Sequence, residues 1–234
     1  MPTKQAPPEQ RFAAEIENLG KTYYTQDEQI QALTDVSKQF LVGAITAVVG
    51  PSGSGKSSLL RILACNDKPT SGTAHVAGED LSQLRPRGRR ELRRRSVAYM
   101  FQDPSHNLID YLPAIEQLDL AAKLRGTRSN RDEQLELLDT LGMAHRADHL
   151  PVQLSGGEQQ RLSVACAVIG TPALVIADEP TAELDTHSAG LVMDAFAALR
   201  STGVAFLLAS HDQHVIERAD HLLRLEKGVV SESW

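Results

Sequence analysis

The chain has 234 residues, 41% hydrophobic and 23% charged, which excludes a disordered or collagen-like polymer and suffices for one large domain with a buried core. Two cysteines, Cys65 and Cys166, lie in apolar stretches, which excludes a disulfide framework and fits a reducing compartment. Net charge is −6, but residues 85–95 hold seven arginines and one acid, so the tract carries +6 and the rest −12. Such a tract reads first as a solvated helix face. The functional alternatives are lipid headgroups or nucleic acid, and the lack of interleaved aromatics speaks against nucleic acid as a partner.

Residues 1–10 are polar and proline-rich and read as a disordered tail without a secretion signal, ahead of a single domain over 11–234. Apolar runs such as 41–49 and 173–177 fall well short of the roughly 18 residues a membrane span needs. Alternation at Phe12, Ala14 and Ile16 predicts a strand, and Val36, Lys38 and Phe40 predict another with weaker contrast. Residues 44–49 form a continuous apolar run, as in a strand covered on both faces. A helix over 56–64 follows a glycine-rich turn, and a strand is expected over 96–101. Helical patterns occupy about 114–124, 131–141 and 156–169. Further buried strands are expected over 173–177 and 204–209, joined by a helix carrying Leu191, Ala195 and Leu199. Strands alternating with helices predict an α/β fold built on a parallel sheet.

Three segments carry chemistry. Gly50, Pro51, Ser52, Gly53, Ser54, Gly55, Lys56 and Ser57 fit G-x-x-x-x-G-K-[ST], between a buried strand and a helix that continues through Ser58. Glycines let backbone N–H groups converge on a phosphate, and the helix dipole adds to the attraction. Lys56 would reach the β- and γ-phosphates of a nucleoside triphosphate, and the Ser57 hydroxyl would ligate Mg²⁺. The second segment, ALVIADEP, ends a hydrophobic strand in Asp178, suited to Mg²⁺, and Glu179, suited to polarising a water. In the third, LSGGEQQR, Ser155 and Glu158 form a capping box, while Gly156 and Gly157 bare the backbone of the first helical turn.

Taken together, these segments resemble the ATP-binding-cassette (ABC) ATPase family over about residues 12–230. GPSGSGKS is similar to its Walker A loop, ALVIADE to its Walker B strand and LSGGEQQR to its signature. The resemblance implies a P-loop NTPase core with a mostly parallel sheet, a small antiparallel β subdomain and a helical subdomain inserted over about 103–170. It also implies an ATPase that uses ATP and Mg²⁺. Gln102, in Phe101-Gln102-Asp103, looks like the Q-loop residue that senses Mg²⁺ or the attacking water. Asp185, in AELD, resembles the D-loop, and His211, in Ser210-His211-Asp212, the switch histidine with a catalytic role beside Glu179. Tyr23 stands where the family stacks an aromatic on adenine, with Tyr24 its rival. One departure is Cys166, where relatives usually carry an arginine.

The resemblance further implies that two cassettes pack head to tail, each ATP lying between one chain's phosphate loop and the other's signature helix. A homodimer energising a separate integral-membrane permease, cytoplasmic and peripheral on the inner face of the cell membrane, is the expected assembly. The spacing from Tyr23 to Leu33 and the MFQ segment look like the LolD, MacB and FtsE group, whose permeases are FtsX- or MacB-like. Asn107-Leu-Ile-Asp-Tyr-Leu112 in the insert is a candidate permease contact, with core packing as the alternative. A soluble ABC ATPase without a permease, such as an iron–sulfur assembly scaffold, is the competing assignment.

Overall fold

The computed structural model describes residues 12–25 and 28–234, so the tail over 1–10 and the pair Gln26–Asp27 lie outside the described residues. β1 (Phe12–Tyr24) and β2 (Gln29–Leu41) pair antiparallel as a long hairpin. β3 (Ile45–Val49) leads through the glycine-rich turn into α1 (Lys56–Leu63). β4 (Ser71–Val76) and the short β5 (Glu79–Asp80) complete a four-stranded antiparallel sheet in the order β2-β1-β4-β5. α2 (Pro86–Ser96) holds the arginine tract and runs directly into β6 (Val97–Met100).

Between β6 and β7 (Leu174–Asp178) the chain is helical: α3 (Ala114–Arg125), α4 (Arg131–Thr140) and α5 (Gly156–Val168). α3 stops at Gly126, which is left-handed, and α4 starts from a capping box between Asn130 and Glu133. α6 (Thr186–Ala198), β8 (Ala205–Ala209), α7 (Gln213–Arg218), β9 (His221–Glu226) and β10 (Val229–Ser233) complete the chain. The second sheet has the order β10-β9-β3-β8-β7-β6. It is parallel throughout except for the β9–β10 hairpin at its edge.

Every residue of β3 and β8 is buried, because both faces of this sheet are covered. The period-two alternation of strands then splits each one between two cores. Phe206 and Leu208 of β8, with Val175 and Ala177 of β7, face the helices of the insert and α6. Ala205, Leu207 and Ala209, with Leu174 and Ile176, face α1 and the antiparallel sheet. Phe196 of α6 meets Phe206 edge-on, with ring centroids 5.3 Å apart and both rings fully buried. The buried face of α6 is Ala189, Val192, Met193, Ala195 and Phe196, and Leu199 just beyond the helix is buried too, so Ala195 and Leu199 of the stripe read from the sequence face the core while Leu191 is half-buried.

The antiparallel strands β4 and β5, the terminal hairpin β9–β10 and the short α7 had no distinct signal in the sequence. The 107–112 segment divides between its two readings: Leu108 is in the core and the Tyr111 ring is exposed. Replacing Phe196 with alanine removes one partner of the edge-on pair and leaves a cavity. It is expected to lower the unfolding free energy by about 3–5 kcal/mol, read as a lower midpoint in urea denaturation.

Candidate functional site

The C-terminal ends of the adjacent strands β3, β8 and β7 converge on one rim, and the loop after each supplies a different group. After β3 comes the glycine-rich loop. Lys56 folds back over it, donating from Nζ to the Gly50 carbonyl at 2.6 Å and the Pro51 carbonyl at 3.1 Å. Gly55 has φ +104°, and a Cβ there would lie 2.4 Å from the Ala32 carbonyl, so a side chain is excluded both by conformation and by space. α1 has no side-chain cap and no acid in its first turn, which leaves its leading N–H groups open to an anion. Ser54 is buried with its hydroxyl unpartnered among the described residues.

Over this loop lies a cleft of about 330 Å³, lined by Tyr23, residues 30–32 and residues 52–58. Tyr23 is therefore the tyrosine in the cleft, whereas Tyr24 points to solvent with 70% of its surface exposed. The Tyr23 hydroxyl lies 3.3 Å from Asp67 Oδ2 and 3.4 Å from Ser58 Oγ, and Lys21 Nζ sits 4.8 Å from its ring centroid. Lys21 also donates to Asp67 at 2.7 Å, which fixes the carboxylate that orients the ring. Ile30, Gln31 and Ala32 were missed in the sequence. They belong to β2, and only the pairing of β2 with β1 carries them beside the loop.

After β7 come the two carboxylates. Asp178 accepts from the Tyr99 hydroxyl at 3.2 Å. Burial and then the Asp178 charge push the Tyr99 pKa up to about 12, so its hydroxyl remains a donor across the physiological range. Glu179 is left-handed at φ +49°, a conformation that strains a residue bearing a Cβ, and its N–H donates to the Ala209 carbonyl of β8. Both of its oxygens are engaged from the loop after β8: Oε2 accepts from Ser210 at 3.1 Å, and Oε1 lies 2.9 Å from His211 Nδ1. This hydrogen bond, followed by the Glu179 charge, raises the His211 pKa above its ordinary 6.5. Gln102, after β6, is exposed and donates to Glu183 at 3.3 Å. Ser210, Tyr99 and Glu183 were not among the residues singled out. Ser210 and Glu183 had a signal, each sitting inside a quoted segment.

Ser155 and Glu158 lie elsewhere. Their reciprocal capping box opens α5: the Ser155 hydroxyl accepts from the Glu158 N–H at 3.3 Å, and Glu158 Oε2 accepts from the Ser155 N–H at 2.8 Å. Partial burial works against ionisation of Glu158. The Ser155 N–H, the Arg146 guanidinium at 2.8 Å and the Ser155 hydroxyl outweigh it and hold the pKa at about 2. Gly157 has a packing reason: a Cβ there would lie 3.0 Å from Ser188 Cβ at the start of α6. That start is capped by Asp185, which accepts from the His187 and Ser188 N–H groups. Asp185 and Ser155 thus belong to one corner, and no residue of it lines the cleft over the phosphate loop.

The family model for ABC transporters matches residues 33–182. The chain belongs to the ABC transporter family. A macrolide export ATP-binding/permease protein, MacB of Salmonella choleraesuis (strain SC-B67), is 38% identical over 218 residues, covering 92% of this chain and 33% of MacB. This cassette thus spans about one third of the length of its MacB relatives. The lipoprotein-releasing system ATP-binding protein LolD of Bordetella pertussis is 39% identical over 221 residues, 92% of this chain and 94% of LolD. Among solved structures, a dimeric post-hydrolysis state of the ATP-binding cassette MJ0796 bound to ADP and Pi superposes with TM-score 0.80 and 32% identity. The match covers 94% of this chain and 97% of that one. No helix among the described residues is long and apolar enough to cross a membrane.

The Glu179–His211 contact of the cassette can be read by titration. With a folded pKa above 6.5, His211 is charged and the ion pair complete below about that pH, and the pair is lost as pH rises through the raised value. In Glu179→Gln, the His211 midpoint followed by imidazole NMR is expected to fall back toward 6.5; an unmoved midpoint would contradict the contact.

Proposed function

We propose that this cassette is the ATP-binding and ATP-hydrolysing subunit of a transporter, working as a head-to-tail dimer against a separate membrane permease. The observation that carries the proposal is the separation of its two phosphate-seeking helix ends. The α1 end opens into the cleft with Tyr23, and the α5 end sits with Asp185 in a different corner that contributes nothing to that cleft. One chain therefore offers one half of the contacts to each nucleotide, and a second copy supplies the rest.

The donor set fits the substrate. The open N–H groups of α1, the unpartnered Ser54 hydroxyl and the left-handed Gly55 make a cradle with no side chain in it. Lys56, now on two loop carbonyls, would transfer to the β- and γ-phosphate oxygens, exchanging neutral acceptors for charged ones. The exposed Ser57 hydroxyl and the Asp178 carboxylate, held by Tyr99, are hard oxygen donors of the kind Mg²⁺ takes. Bound there, Mg²⁺ would neutralise charge developing on the phosphates. Glu179, oriented by Ser210 and His211, is the base that takes a proton from water, and His211 holds that carboxylate in place. Gln102 is the link from the cleft to the insert, where Tyr99, Phe101, Asn107, Ala121, Arg125 and Cys166 line a groove suited to a permease's cytoplasmic helix.

A MacB- or LolD-type assembly on the inner face of the membrane is the specific form of this proposal, supported by identities near 39%. Recovery of a multi-span permease with the tagged cassette from detergent extract is the expected outcome, and recovery of soluble partners alone would count against it. Glu179→Gln is expected to bind ATP and trap a closed dimer by light scattering, while turnover falls by about 10²–10⁴-fold. Lys56→Ala is expected to lose nucleotide affinity itself, measured by equilibrium binding of a fluorescent ATP analogue.

A further inference from the structure

The arginine tract has no part in the nucleotide cleft, and the structure divides it in two. Its C-terminal half is engaged. Arg93 donates to Asn66, Arg94 is bidentate to Glu91 at 2.6 and 3.2 Å and reaches the Leu124 carbonyl at 3.4 Å, and Arg95 pairs with Glu79. Its N-terminal half is not. Among the described residues, the Arg85, Arg87, Arg89 and Arg90 guanidinium groups have neither an ion pair nor a hydrogen bond, and all but the half-buried Arg89 are exposed. The neighbouring acids are already taken: Glu91 by Arg94, Glu79 by Arg95, and Asp80 by Ser82 and Gln83.

Helix stability does not account for these cations. α2 carries no acid in its first turn, and arginines there oppose the helix dipole. Core packing does not either, since α2 buries only Leu92 and Ser96. We infer that the N-terminal end of α2, with Arg85 at its cap and Arg87, Arg89 and Arg90 around its first turns, docks on an anionic phospholipid surface. The assignment rests on the reading that the cassette works beside a membrane permease.

Three features favour a lipid surface over other polyanions. The four charges fall within six residues, about 8 Å of helix rise, a compact patch rather than a track along a nucleic-acid backbone. No aromatic side chain stands among them to stack on a base. The patch also adjoins the proposed permease groove: Ala121 and Arg125 of α3 line that groove, and the Leu124 carbonyl between them accepts from Arg94 of α2. With −12 net on the remaining chain, an anionic surface favours the basic N-terminal end of α2 over the rest of the chain on average, presenting the groove to the same side. The contact thereby orients the cassette before the permease is engaged.

The test is co-sedimentation of the purified full chain with phosphatidylcholine vesicles, either neutral or containing one third phosphatidylglycerol. The unsubstituted chain is expected to bind the anionic vesicles at low salt, to ignore the neutral ones, and to be released at about 0.5 M salt. The variant R85Q/R87Q/R89Q/R90Q should lose about fivefold in partitioning per arginine removed, a few hundredfold in all, with vesicle-free ATPase activity unchanged. A charge-matched control, K123Q/R128Q/R131Q/K227Q, should retain binding, and R87Q/R90Q should lose roughly 25-fold if the fourfold variant misfolds. Inorganic phosphate at millimolar concentration should not displace the chain. Equal binding to neutral vesicles, an equal loss in the control, displacement by free phosphate, or retention on single-stranded DNA with vesicles ignored would each overturn the inference. The assay contains no permease, so its failure leaves the transporter reading intact, and failure to recover a permease leaves this result standing.

Discussion

The parallel pairing of β3, β8 and β7 is the constraint on which the site depends. Parallel neighbours end on the same side, so the loops after Val49, Asp178 and Ala209 are forced into one rim. β8, between the other two, shares its ladder with both and sets the register. The bond from the Glu179 N–H to the Ala209 carbonyl extends that ladder one residue beyond the strand. It draws Glu179 into the left-handed conformation that turns its side chain toward Ser210 and His211. The strain is local, and two continuous buried strands hold it in place. Precision in a site of this kind comes from rigid elements that the chemistry does not have to move.

The resting arrangement keeps its charges occupied without committing them. Lys56 rests on carbonyls of its own loop, and the Glu179 carboxylate is shared between a hydroxyl and an imidazole. The Lys56 contacts with neutral carbonyls are weaker than its ionic alternative with a phosphate oxygen. Binding can thus draw on differences in hydrogen-bond strength with little rebuilding of the backbone. Asp178 differs: its Tyr99 partner is fixed as a donor by burial, so this carboxylate is held in one pose from the outset.

The sequence made some of this legible and hid the rest for physical reasons. Four strands of the parallel sheet, β3, β6, β7 and β8, could be read because their residues are almost all apolar, as in ITAVV and AFLLA, whereas β9, HLLRLE, could not. The helices of the insert showed for their periodicity and caps. β4, β5 and β10 did not show, because a half-buried strand such as SGTAHV and an edge strand such as VVSES carry little apolar contrast. At the site, the residues inside contiguous motifs could be named, while partners from distant strands could not. Tyr99 with Asp178, Arg146 with Glu158, and residues 30–32 in the cleft all depend on sheet order or helix docking. The rivalry of Tyr23 and Tyr24 illustrates this: adjacent residues of one strand face opposite ways, and only the position of β1 against the loop decides which ring lines the cleft.

The glycines of LSGGEQQR mark where local and global demands meet. A capping box explains Ser155 and Glu158 but would tolerate larger residues between them, and glycine in a first turn weakens a helix. The approach of α6 supplies the missing reason at Gly157, since a methyl group there would press on Ser188, whose hydroxyl and N–H are both held by Asp185. The α5 end is therefore locked to the α6 end, and Asp185 follows the β7 carboxylates in the chain by only a short turn. A displacement of the signature corner on meeting a second copy would be carried along that turn to Glu179. The backbone that orients the proposed base is thus tied to the corner proposed to meet a second copy, and the tie runs through close packing at a position with no side chain of its own.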